Sequence, residues 1–156
     1  MAEAIANALR ERDAREAIRA ALEATGAFDA VYLGAFPLID GRSAKDALAA
    51  AIEPVDGNIN ARYDGGGAGL DSMADARVQI TFLARDEDGR RCDENVERLF
   101  MTALNVLTGS NLGGLAMPRF SRFGRYVWRR ANPPERRIDA EFHFRYLIDQ
   151  AASTAE

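Results

Sequence analysis

The chain has one cysteine, one histidine and one lysine among its 156 residues, and each scarcity removes a class of chemistry. With Cys92 alone, no intrachain disulfide can form and no cysteine-based zinc site can be built. Any imidazole chemistry would fall to His143 by itself. Lys45 is the sole lysine among 20 basic residues, a preference that follows coding bias and carries no functional weight. Long apolar runs are missing too. No window approaches the roughly 20 apolar residues that a membrane helix needs. The first 26 residues place charges every few positions, without an apolar block of signal-peptide length. These absences point to a soluble chain made inside the cell, with no membrane partner.

What is present is enough for a core. A 47% hydrophobic fraction excludes global disorder, and 156 residues fit one domain of the usual size of roughly 100–150. Residues 1–149 read as that single domain, and residues 150–156 as a floppy tail. The net charge of -4 argues against coating nucleic acid by bulk electrostatics. The charge is segregated, however. Residues 119–137 hold Arg119, Arg122, Arg125, Arg129, Arg130, Arg136 and Arg137 against Glu135 alone. Residues 53–75 hold Glu53, Asp56, Asp64, Asp71 and Asp75 against Arg62. A molecule carrying both patches could pair head-to-tail with its own copies, or simply present two ordinary charged surfaces.

The elements follow from periodicity. Residues 3–25 read as an alanine-rich helix ended by Gly26, with Asp13 as a possible second start. "FDAVYLGAF" has strand composition, closed by Pro37 and the Asp40-Gly41 turn. "SAKDALAAAIEPV" is ambiguous between a short helix from Ser43 and a strand near 48–53. Residues 56–75, containing "DGGGAGLD", read as a long loop. "ARVQITFLARD" alternates cleanly, with Val78, Ile80 and Phe82 on one face. Residues 93–108 form the best helix, since Val96, Leu99, Phe100, Ala103, Leu104 and Leu107 make one apolar stripe behind Asp93 as N-cap. Two alternating runs, 122–130 and 136–149, flank a Pro-Pro hairpin tip. The expected fold is α+β: an antiparallel-leaning four-stranded sheet, packed by one long amphipathic helix and an N-terminal helix, with a long Gly-rich inter-strand loop.

Catalytic inventory is thin. The glycine run Gly65-Gly66-Gly67 precedes a strand rather than opening a helix, so it cannot cradle a phosphate on helix N–H groups. His143 lies between Glu141 and Arg145 on a strand face, as a general acid–base candidate or a plain surface histidine. Cys92 sits before the expected helix, where its pKa could fall, or is a semi-buried inert thiol. The 86–88 acids belong to a solvated turn. Tyr126 and Trp128 beside Arg125 and Arg129 could stack on bases or sit at an interface. No nucleophile, base and stabiliser converge, so the reading is not an enzyme, with no cofactor and no metal.

Taken in order, "VYLGAFPLID", the acid- and glycine-rich loop, "DARVQITFLARD", "DENVERLFMTALNVL", "NLGGLAMPRF" and a basic hairpin ending in "HFRYLID" resemble a tail-terminator or tail-completion protein of tailed bacteriophages and phage-derived particles. The resemblance spans residues 13–149 and is one of element order and character. It implies a virion protein of the neck, assembled in the host cytoplasm. Such proteins form a ring, commonly a hexamer, on the head-proximal end of the tail tube. Its partners would be its own copies, the tail tube protein and the head connector or stopper, with DNA crossing the lumen without sequence-specific binding. Other neck and head-completion connector proteins look alike at this level. A nucleic-acid-binding module built on the basic hairpin is the different-class alternative. The expected contact residues are Asp64, Gly65, Gly66, Gly67, Asp71 and Asp75 on one side. On the other are Arg122, Arg125, Tyr126, Trp128, Arg129 and Arg130. Exposed ion pairs contribute only about 0–1 kcal/mol each, so apolar contacts through Trp128, Tyr126 or Phe120 would have to hold a ring.

Overall fold

The computed structural model describes residues 10–36, 38–39, 42–43, 47–60, 72–131 and 134–148. The chain runs α1 (Glu11–Ala24), β1 (Ala30–Leu33), β2 (Leu38–Ile39), β3 (Arg42–Ser43), β4 (Leu48–Asn60), β5 (Ser72–Arg85), α2 (Gly89–Leu107), a 3-10 turn (Pro118–Phe120), β6 (Arg122–Ala131) and β7 (Glu135–Ile148). Five strands form one sheet in the order β1-β4-β5-β7-β6, and β2 pairs with β3 in a small separate ribbon. The α+β class is as expected from sequence. The four-stranded antiparallel sheet is corrected to five strands and mixed sense, because β1 runs parallel to β4.

Both helices cover the same sheet face. In α1, Ala14, Ile18 and Leu22 recur every four residues and are fully buried. In α2, Cys92, Val96, Leu99, Phe100, Ala103 and Leu107 form the stripe that meets Val78, Ile80 and Phe82 of β5 and Ile138, Phe142 and Phe144 of β7. Full burial of each large apolar side chain stabilises by about 1.5–3 kcal/mol. Opposite these residues on β7 lie Asp139, Glu141, His143 and Arg145, the period-2 pattern of a strand with one dry face, whereas Ala49 and Ala51 of β4 and Leu83 of β5 are buried on the other face as well.

Several boundaries differ from the sequence reading. Helix α2 starts a turn earlier than residue 93: Asp88 is the N-cap, accepting from the backbone N–H groups of Arg90 at 2.9 Å and Arg91 at 3.5 Å. Asp93 lies inside the helix and pairs with Arg136 instead. Asp13 lies inside α1, whose N-cap position is Arg10 with no side-chain cap. Residues 3–9 of the expected helix lie outside the described residues. Ser43 belongs to β3, and Leu48 opens a 13-residue strand, β4, which settles the ambiguous alanine segment as β from residue 48 onward. The expected loop 56–75 is shorter at both ends. β4 continues to Asn60 and β5 begins at Ser72, held by rungs such as Asp56↔Arg77 and Asn58↔Asp75.

Asp29 fixes the register of the one parallel pair. Its backbone N–H donates to Leu48 O at 2.7 Å while its Oδ2 accepts from Leu48 N–H at 3.0 Å. β1 ends after four residues, where Gly34 at φ +98 turns the chain away and donates to Ile52 O at 2.8 Å. Beyond Ile52, β4 has no outer partner strand among the described residues, and Pro54 sits on that edge, where a missing N–H breaks no described ladder bond.

Candidate interaction surface

β6 closes one edge of the sheet, hydrogen-bonded only to β7 among the described residues. Its ladder slips between Phe123 and Tyr126, a bulge occupied by Gly124 and Arg125. Gly124 leaves room there for the imidazole: a Cβ at this position would stand 2.7 Å from His143 Nε2, so a larger residue would have to displace that ring. The bulge also assigns the faces. Phe123 and Tyr126 turn to the helix side, where their rings lie 5.4 and 5.3 Å from that of Phe100. Arg125, Val127 and Arg129 turn to the helix-free side and line a cleft with Gln79, Asp139 and Glu141.

That helix-free side carries a cross-strand network of ion pairs. Arg77 on β5 bridges Asp56 on β4 and Glu141 on β7. Arg145 grips Asp75 and stacks 4.0 Å from the Phe120 ring centroid. Asp139 accepts from Thr81 Oγ1 at 2.8 Å and pairs with Arg129. Glu135, 4% exposed, receives Arg85 at 2.8 Å and Arg137 at 3.0 Å. The Arg77 guanidinium, above all by direct hydrogen bonding, holds the Asp56 carboxyl below the usual carboxylate range, and Asp56 in turn pushes Arg77 up. Burial lowers the His143 imidazole, and the nearby Arg77 and Arg122 cations act in the same direction. His143 shares a cleft of about 290 Å³ with Asp56, Asp75, Arg77, Arg122 and Arg145, whose acids are engaged by Arg77 and Arg145.

Cys92 is corrected on both counts. It lies inside α2 and is fully buried, its Sγ donating to Ala84 O at 3.1 Å, and burial pushes the thiol up rather than down. Among the described residues no group of three or more His, Cys, Asp or Glu could hold a metal, and no helix is long and apolar enough to cross a membrane.

The sequence-predicted contact residues divide into three sets. Asp64, Gly65, Gly66, Gly67 and Asp71 lie outside the described residues. Asp75 and Arg129 are bound within the subunit, by Arg145 and Asp139, so neither is an open charge awaiting a neighbour. Arg136 and Arg137 are likewise paired, whereas Arg119, Arg122, Arg125 and Arg130 have no carboxylate partner among the described residues. Tyr126 is 53% exposed and Trp128 37%, with Arg136 over the Trp128 ring at 5.3 Å. Sequence reasoning missed Val55 (46% exposed), Ile59 (64%) and Val127 (38%). Val55 and Ile59 lie on β4 beyond the end of β1, and Val127 on the helix-free face of β6, positions that only the strand order reveals.

No protein-family model matches the chain, and no curated protein matches it. Among solved structures, a chain in the virion of a native gene transfer agent (GTA) particle superposes with a TM-score of 0.53 at 19% identity, covering 83% of this chain and 84% of that one. The likeness is one of fold, and it extends over most of both chains.

Proposed function

We propose that this chain is a structural virion protein that caps the head-proximal end of a phage-type tail tube as a ring, commonly a hexamer in such proteins. In that role it ends tube polymerisation and forms the joint to the head connector. The observation that carries the reading is the fold shared over most of both chains with a chain of the gene transfer agent virion. The surface is consistent with work done by contact: most exposed large apolar side chains lie on the sheet-edge strands, and Glu135, the buried charge among the described residues, is internally paired. Its partners in this reading are its own copies, the tube protein and the connector or stopper, with DNA crossing the lumen and assembly taking place in the host cytoplasm.

Particles assembled without the chain test this reading by electron microscopy. Overlong tubes and unjoined heads are expected. Tubes of normal length with unjoined heads would favour a neck or head-completion connector. Normal tubes joined to heads would overturn both.

One observation keeps a second reading in view. Arg122, Arg125 and Arg130 on β6, which have no carboxylate partner among the described residues, could neutralise phosphates, although strand alternation sets Arg122 and Arg125 on the face opposite Trp128. Filter binding to DNA over a salt series decides it, since a phosphate-driven complex weakens steeply with salt. No binding at low salt removes it.

A further inference from the structure

We infer that the outer edge of β6 is the docking site for the β1–β4 edge of a second copy of this chain, joined antiparallel, with Arg125 of one copy facing Glu53 of the next. The inference rests on the ring reading above and specifies its contact.

Exposed apolar side chains point to these edges first. Of the eight large exposed hydrophobic residues among those described, five lie on β6 or on the bare stretch of β4: Tyr126, Val127, Trp128, Val55 and Ile59. Arg122, Arg125, Arg129, Arg130 and the bulge on β6, and Glu53 and Pro54 on β4, blunt both edges against unselective pairing, so a partner edge has to match them in charge and shape. Keeping aromatic side chains in water at an unpaired strand marks a contact surface.

Strand sense agrees. β6 is antiparallel to β7, β7 to β5 and β5 to β4, and β1 is parallel to β4. Three reversals leave β6 antiparallel to both strands of the opposite edge. A copy set alongside in the same orientation therefore meets β6 with the favoured pairing.

Charge and register agree as well. Glu53 pairs across the sheet with Gln79, and Gln79 with Glu141. Arg125 sits in the bulge between Phe123, opposite Phe142, and Tyr126, opposite Ala140, which places it beside Glu141. Arg125 and Glu53 thus stand on the same rung, at opposite edges, each lining a cleft on the helix-free face with Gln79. Neither has an oppositely charged partner within the subunit among the described residues. β1 stops one residue before Glu53, so the edge steps inward by one strand there, and the ladders of β4 and β6 both slip near this rung. A stepped edge needs a bent strand to follow it, and a bulge supplies the bend.

The test is cross-linking and charge exchange in the full chain. Glu53→Cys combined with Arg125→Cys is expected to give disulfide-linked oligomers on oxidation, while each single variant does not; buried Cys92 contributes none. Arg125→Glu alone is expected to weaken self-association, followed by light scattering across concentration, on the order of tenfold or more, because it sets like charges together. Adding Glu53→Arg to that variant restores it. Melting temperature checks that every variant remains folded. A discrete oligomer with no cross-link and no charge-exchange rescue overturns the edge contact and leaves the ring reading standing. Absence of self-association at every concentration also overturns the edge contact, and the ring reading is then judged on the tail tubes alone.

Discussion

Arg145 and Asp75 face each other across β7 and β5, and the guanidinium that binds the carboxylate also sits over the Phe120 ring of the 3-10 turn, 4.0 Å from its centroid. One side chain therefore ties two strands to the connector that follows α2. The pair is partly exposed, with side-chain accessibilities of 26% and 42%, so its electrostatic share is small. Together with the ring contact, Arg145→Met should lower stability by about 1 kcal/mol in urea denaturation. Asp75→Asn in the same background should add little, since its partner is already gone. Fully additive losses would contradict the pairing.

The two acids at the start of α2 should behave differently. Asp88→Ala removes the N-cap and should cost about 1 kcal/mol at any salt concentration. Asp93→Ala removes a partly exposed pair with Arg136, and its effect of about 0–1 kcal/mol should fade as salt is added. Chemical denaturation at two ionic strengths separates them. An exchange of these two behaviours would place the helix start at Asp93.

Gly124→Ala should destabilise by about 1–3 kcal/mol, because the new methyl group enters the space of the His143 ring. His143→Ser should relieve most of that penalty when the two are combined. A penalty unchanged by removing the imidazole would assign it to backbone strain in the bulge.

His143 gives stability a pH dependence of definite sign. Its folded-state pKa lies below the ordinary 6.5, first through burial and then through Arg77 and Arg122, with Glu141 and Asp56 opposing. The unfolded chain therefore takes up the proton first. Stability is full above pH 6.5 and falls as pH drops through that value toward the folded pKa. His143→Gln should flatten the urea-midpoint profile between roughly pH 7 and 5, above the range where Asp56 protonates. Parallel profiles for the two proteins would rule out this contribution.

Particular residues explain what the sequence disclosed. α2, β5 and β7 were legible because each has one dry face, and a dry face writes its period into the chain. β4 was not, because Ala49, Ala50, Ala51 and Ile52 are buried on both sides of the sheet and so show no alternation. Alanine there suits close packing, yet on propensity alone it suggests helix. Residues 56–60 are strand because β5 pairs with them, an override by tertiary contact that polar composition conceals. The parallel sense of β1 has no sequence signature at all. The arginine cluster was plain to see, but which arginines are satisfied depends on Asp139 and Asp93, brought in by cross-strand register and by the neighbouring helix.

Strand order has a consequence for when the protein can fold. β7 is the last described strand in the sequence but lies inside the sheet, between β5 and β6, and Tyr146 near its end reaches back to Glu11 of the first helix at 3.3 Å. During synthesis β4, β5 and α2 emerge with an unfilled neighbour position beside β5. Only β7 fills that position and completes the core. The core must therefore wait until residue 148 has been made, and the long sequence separation of its closing contacts makes folding slow relative to a helical bundle of equal size.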